Sequence, residues 1–281
     1  MSYQTLLVYV GLASQVKSLL NVAQQIADKG ENVHVIGLHV IPQIPVYPDM
    51  AFMVTSEMAD LQRDALLKQK NEVKEAFETE MEKMHVSWEW RVVEANGKLV
   101  ADRVLEHGRC VDLIIGAQDD PENDNDTQHG IAEQVMIRAG RPVLFVPYAG
   151  HFDAIGKKIM VAWNGSRESA RATFDALPLL EKADHVEIIW SNPQNFGEDG
   201  LDLPGSEIAN VLARHDITVE ASQTSHTEIA FADELLSRLA DQGFDLLVMG
   251  GYGHSRFREF VFGGATRLVL KQMTVPVLMS H

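Results

Sequence analysis

Short apolar runs alternate along the chain with longer stretches in which apolar residues recur every three or four positions. Leu6-Leu7-Val8-Tyr9-Val10 is the first run, and Val16, Leu19, Leu20, Ala23 and Ile26 follow at helical spacing. The same grammar restarts at Ile159-Met160-Val161-Ala162-Trp163, with Ala170, Phe174 and Leu177 as the helical face and Pro178 marking a kink or an end. The second runs also match, residues 35–42 against residues 186–193, each closing on a proline. Ala101, Val104 and Leu105 precede Gly108 as Ala232, Leu235, Leu236 and Leu239 precede Gly243, so both read as amphipathic helices closed by a C-terminal glycine. Buried strands follow at Asp112-Leu113-Ile114-Ile115 and Asp245-Leu246-Leu247-Val248-Met249. The last runs, 141–147 and 275–281, each carry a proline near the start, which fits an edge position.

The chain is therefore written twice. Strands alternate with helices in the order β-α-β-α-β-α-β, with a further helical stretch before the third strand. That order predicts an α/β protein made of two tandem, doubly wound parallel-sheet domains, residues 1–149 and 150–281. The join, near residues 148–153, is only a few residues long, so the domains are expected to pack closely. The extra length of the first half lies in residues 43–85, where Pro45 and Pro48 give way to a charged helix with Val73, Phe77, Met81 and Met84 on one face.

Composition narrows the functional classes. The chain has 281 residues, 46% of them apolar, which suffices for two cores, and no apolar run approaches the ~18 residues of a membrane span. A net charge of −16 without a basic cluster argues against DNA or RNA as a partner. The single cysteine, Cys110, excludes an internal disulfide and a cysteine-based zinc site. The first residues carry neither a basic region nor a small-residue cleavage site, so a cytoplasmic address is expected.

Candidate chemistry concentrates near the end of the second half. Gly250, Gly251 and Gly253 follow the apolar run, and Gly263-Gly264-Ala265-Thr266 open the last helical stretch. Ligands of open α/β sheets sit beyond the carboxyl ends of the strands, and a helix start offers free N–H groups and the positive end of its dipole to an anion. Thr266, and the side chain of His254 or Ser255, can add hydrogen bonds. No lysine follows these glycines, so they are not a Walker loop, and Arg256 occupies the third glycine position of the dinucleotide pattern. Taken alone, the glycines fit a phosphate cradle and plain turn chemistry equally.

The longer spacing is more specific. Gly250, then Gly253 after two intervening residues, then Gly263 after nine, resembles the nucleotide loop of the universal stress protein family, written G-2x-G-9x-G-[S/T]. Residues 244–281 as a whole, with "DLLVMGGYGHSR" and "FGGATRLVLKQMTVPVLM", are similar to that family's closing strand-loop-helix-strand. With the repeat, the chain resembles a tandem universal stress protein, close in residues 158–175 and 244–281 and weak in the first half. The resemblance implies a Rossmann-like, adenine nucleotide alpha hydrolase-like fold and a ligand that is ATP or another adenine nucleotide, with or without Mg²⁺. Its site, carried over residue by residue, is Ala162, Trp163, Asn164, Ser191, Met249, Gly250, Gly253, His254, Gly263, Gly264, Ala265 and Thr266. Asn164 stands where the family has an aspartate that contacts the nucleoside. Gly264 stands where it has a serine or threonine, with Thr266 as the replacement hydroxyl. The family's final strands often pair across a dimer interface, which implies an internal pseudo-dimer of the two halves and leaves a homodimer of chains open.

The first half departs from the motif. Its fourth strand runs into "DDPENDNDTQHG", residues 119–130, whose five acids would repel a phosphate, so it reads as a solvated acidic loop and binding is expected in the second half only. No histidine pairs with another at metal-binding spacing, Ser166 reads as a helix cap after the Asn164-Gly165 turn, and no nucleophile elbow surrounds it. Three functional readings remain: a nucleotide-binding stress-response regulatory module, a slow ATPase on the same site, and a scaffold for a non-nucleotide small molecule.

Overall fold

The computed structural model describes residues 2–30, 32–43, 55–120, 130–191, 205–224, 228–252 and 264–281. The first half runs β1 (Thr5–Tyr9), α1 (Ala13–Ala27), β2 (His34–Ile41), α2 (Ser56–Met81), β3 (Ser87–Glu94), α3 (Val100–Gly108), β4 (Leu113–Ala117), α4 (Ile131–Ala139) and β5 (Val143–Val146). The second runs β6 (Lys158–Trp163), α5 (Arg167–Asp175), α6 (Leu177–Leu180), β7 (His185–Ser191), α7 (Gly205–Ala213), β8 (Val219–Thr224), α8 (Glu228–Asp241), β9 (Leu246–Gly250), α9 (Gly264–Gln272) and β10 (Val277–Ser280). Among the described residues each half has five strands, one more than the alternation written out above. The third, β3 or β8, has mixed exposure and no continuous apolar run because it lies at a sheet margin.

The ten strands of the described residues form one sheet in the order β3-β2-β1-β4-β5-β10-β9-β6-β7-β8. Among the described strands every pairing within a half is parallel, and the halves join through one antiparallel pair, β5 with β10. The two crevice ends of the sheet therefore point in opposite directions. The prolines before β5 and β10 do not mark edges. The register Val277 to Phe145 and Met279 to Val143 puts Pro142 and Pro276 one step beyond a ladder at the centre of the sheet, where a missing N–H simply ends the pairing.

Two apolar layers cover the sheet. One gathers Val16, Leu19, Phe77, Leu177 and Leu212 with one face of the strands, and the other gathers Val104, Met136, Leu235 and Val269 with the opposite face. Strands buried on both faces explain the near-continuous apolar runs of the sequence. Pro178 does break the helical run, separating α5 from α6. The face of α5 differs from the one its spacing suggested. Phe174 is 45% exposed, while Ser169, Ala172 and Thr173 are buried, because α5 lies so close to the sheet that only small side chains fit beneath it. Gly108 ends α3 by packing, since a Cβ there would sit 2.6 Å from Ile114 Cδ1, whereas Gly243 has the left-handed φ of +66° that a closing glycine supplies.

Matched aspartates tie the strand starts together. Asp112 accepts from the N–H groups of Gln4 and Thr5, and Asp245 accepts from those of Gly156, Lys157 and Lys158. Burial pushes the Asp245 carboxyl up, against the opposing pull of those backbone donors and Lys29. The join is bolted to α1: the Phe152 carbonyl accepts from Asn21 Nδ2 at 2.7 Å and Gln25 Nε2 at 2.6 Å. Among the described residues, no helix is long and apolar enough to cross a membrane.

Candidate functional site

In the second half the chain steps from β6 outward to β7 and β8, then returns to β9 and β10 on the other side of β6. The strand order reverses between β6 and β9, and the crevice beyond their carboxyl ends is where ligands of this architecture bind. The register Ala162 to Met249 brings both strand ends level, with Ser280 opposite Gly250 and Trp163 opposite Trp190. Ala162, Trp163 and Met249 are buried walls, and Asn164 is exposed at the mouth. Ser191 closes β7 one strand further out.

The turn after β6 is organised by its own side chains. Asn164 Oδ1 accepts from the Ser166 N–H at 3.1 Å, Gly165 takes φ +72°, and Ser166 Oγ caps α5 by accepting from the Ser169 N–H at 3.1 Å. The cap reading of Ser166 is therefore what the geometry has. Asn164 spends its oxygen on the turn, which leaves its amide N–H groups for a ligand.

On the β9 side, Gly250 meets the first turn of α5. A Cβ on Gly250 would stand 2.5 Å from Ser169 N and 2.6 Å from the Glu168 carbonyl carbon. Only glycine allows the strand exit and the helix start to approach so closely. Tyr252 follows at φ +50° and its N–H reaches Thr266 Oγ1 at 3.4 Å, so the threonine hydroxyl ties the strand exit to the start of α9. Thr266 is buried and the helix opens at Gly264 and Ala265, both half-buried. The first N–H groups of such a helix have no partner inside it. Gly253, His254, Ser255 and Gly263 lie outside the described residues.

Two residues escaped the motif. Glu168 is only 3% exposed beside Gly250 and is paired with Arg167, Nε at 2.8 Å and Nη2 at 2.7 Å from Oε1. Its position in the first turn after the serine cap was visible in sequence, but its burial was not. Tyr252 has a buried hydroxyl with no hydrogen-bond partner among the described residues.

The first half has the matching crevice between β1 and β4, lined by different side chains. Strand registers place Tyr9 where the second half has Ala162, and Gly11 where it has Asn164. Burial drives the Tyr9 phenol upward in pKa, with Asp119 adding to the effect. Gln15 Oε1 accepts from the Gly11 and Leu12 N–H groups, and Gln69 of α2 donates to the Gly11 carbonyl at 2.9 Å. Asp119 accepts from the Gly130 N–H at 2.7 Å, placing a carboxylate at the start of α4. His39, buried at the end of β2, donates from Nδ1 to the Val10 carbonyl at 2.8 Å and stacks on Trp90. His34 and His39 are thus strand residues with structural partners. Among the described residues no group of three or more His, Cys, Asp or Glu is arranged to hold a metal.

Strand order, switch-point crevices and a glycine-lined exit define a tandem pair of Rossmann-like α/β units. Residues 156–281 match the model of the Universal stress protein family. A universal stress protein of Synechocystis sp. is 43% identical over 149 residues, 52% of this chain and 49% of the relative, so the matched region spans about half the relative's length. The crystal structure of a universal stress protein from Archaeoglobus fulgidus DSM 4304 shares the fold across 99% of this chain and 96% of its own, with a TM-score of 0.63 and 16% identity. The cytoplasmic domain of a prokaryotic cation chloride cotransporter shares it too, over 98% of this chain and 94% of that one, at TM-score 0.54 and 12% identity. One fold in such different settings means that function must be argued from the crevice.

Proposed function

We propose that the second half is a stress-response regulatory module that binds ATP or another adenine nucleotide in the β6/β9 crevice, with or without Mg²⁺. The observation that carries this reading is the coupling of Tyr252 N–H to Thr266 Oγ1 beside Gly250, which sets the start of α9 against a small-residue strand exit. That arrangement offers backbone donors and a helix dipole to phosphate oxygens. Gly250, Gly253, Gly263, Gly264 and Ala265 surround the phosphates in this reading, with His254 beside them. Asn164, Ser191 and the walls Ala162, Trp163 and Met249 receive the nucleoside. In the first half the contacts of Gln15 and Gln69 with Gly11, and the Asp119 carboxylate at the start of α4, support one-sided binding and a scaffold role for that half. The ligand is a small molecule rather than a nucleic acid or a membrane, the setting is cytoplasmic, and the β5–β10 pair is the internal pseudo-dimer seam, with a homodimer of chains as a further step.

Native mass spectrometry and calorimetry of the full chain test the reading. The expected result is one adenine nucleotide per chain, abolished by Gly264→Val in a variant that still melts cooperatively. No bound nucleotide and no heat or thermal shift with millimolar ATP and Mg²⁺ would overturn it in favour of a non-nucleotide ligand.

A further inference from the structure

Gln118 stands at the carboxyl end of β4, where the strand registers place Gly251 in the second half. Both backbone N–H groups make the same bond, to Val146 in one half and to Ser280 in the other. The side chains differ. Gly251 has none, and a Cβ there would run into Met136 Sδ of α4 at 2.5 Å. Gln118 is 3% exposed and reaches across the seam, donating from Nε2 to the carbonyls of Leu270 at 2.8 Å and Lys271 at 3.1 Å. Its Oε1 accepts from the Tyr148 N–H at 3.2 Å. A residue of the first half therefore satisfies the last carbonyls of α9, the helix whose other end opens at Gly264.

The last four carbonyls of a helix have no partner within it, and a buried donor pair aimed at two of them fixes where that end lies. Nine residues make α9 a short, stiff rod, so holding one end sets the direction of the other. We infer that Gln118 is a positioning residue for the phosphate end of the proposed nucleotide site. The half that lacks the glycine motif thereby aims the helix of the half that binds. This inference rests on the nucleotide reading above and adds to it a role for the first half that its altered loop does not suggest.

The two claims separate in one experiment on the full chain: calorimetric titration of wild type, Gln118→Glu and Gln118→Met with ATP and, separately, with adenosine. Gln118→Glu keeps the size and the acceptor for Tyr148 but removes both donors. Gln118→Met keeps only the shape. A residue that aims the phosphate end moves the phosphate contribution alone, so ATP affinity should fall by about three- to tenfold while adenosine affinity stays within about twofold. Equal losses for both ligands, no change in either, or loss of cooperative melting in both variants would make Gln118 a purely structural residue. Wild type binding neither ligand would overturn the nucleotide reading and this inference together.

Discussion

Gly250→Ala is a sharp test of how the candidate site is built. Its added methyl carbon would stand 2.5 Å from Ser169 N and 2.6 Å from the Glu168 carbonyl carbon, both backbone atoms of the first turn of α5. Reaching an ordinary contact of 3.4 Å requires α5 or the end of β9 to retreat by about 0.9 Å. Neither can do so alone, since Ser166 caps the helix and β9 is paired on both sides. Overpacking of this kind costs about 1–3 kcal/mol. If the second half melts as a unit of roughly 130 residues, that is a fall in Tm of about 4–11 °C. The assay is thermal and urea unfolding of the nucleotide-free protein, followed by circular dichroism. Gly251→Ala is the control: its methyl meets only the thioether of Met136, a flexible side chain that can swing aside, so the expected cost is below about 1 kcal/mol. If nucleotide-free Gly250→Ala melts with wild type, the glycine serves a ligand only and the close-approach argument is wrong.

Three further outcomes follow from the same geometry. Burial holds the His39 imidazole below its usual pKa, with nearby Lys70 acting in the same direction against the bond to Val10, and burial lowers His107 too. The unfolded chain then binds more protons just below pH 6.5, so stability should fall as pH drops from about 6.5 towards the lowered folded values, and His39→Gln should flatten part of that slope; an unchanged slope refutes the assignment. Asn164→Asp keeps the acceptor for Ser166 N–H and adds a charge at the crevice mouth, so affinity for Mg²⁺–ATP should rise about three- to tenfold by calorimetry, with a weaker gain when Mg²⁺ is omitted. Arg171 joins the halves by donating to the Gly140 and His281 carbonyls beside Asp175. Arg171→Ala should therefore cost about 1–3 kcal/mol in urea unfolding, and a cost near zero would show that the seam does not depend on it.

Much of the architecture was legible in the sequence because it depends on local pattern. Continuous apolar runs mark strands buried on both faces, the 3.6-residue recurrence marks helices, and matching the halves exposed the repeat. The glycine spacing likewise pointed to the β9 exit, because glycine is tolerated where backbones crowd. The third strand was harder: Ser87–Glu94 alternates and is partly exposed, so it carries half the apolar signal of a central strand. The face of α5 was misjudged because periodicity favours large apolar residues, whereas the close approach of Gly250 admits only small ones.

What the sequence determined by itself was two α/β units and a glycine-rich exit in one of them. The antiparallel β5–β10 seam came into view there only through the family resemblance, since a strand's ladder groups are backbone atoms and do not name their partner. Tertiary structure alone decided that Gln69 reaches Gly11 from 58 residues away and that Gln118 caps a helix 152 residues further on. These contacts join positions with no local relation, and their energy comes from burying polar groups with partners that only the packed chain brings within reach. The glycines say where a ligand can approach, and the fold says what holds that opening in place.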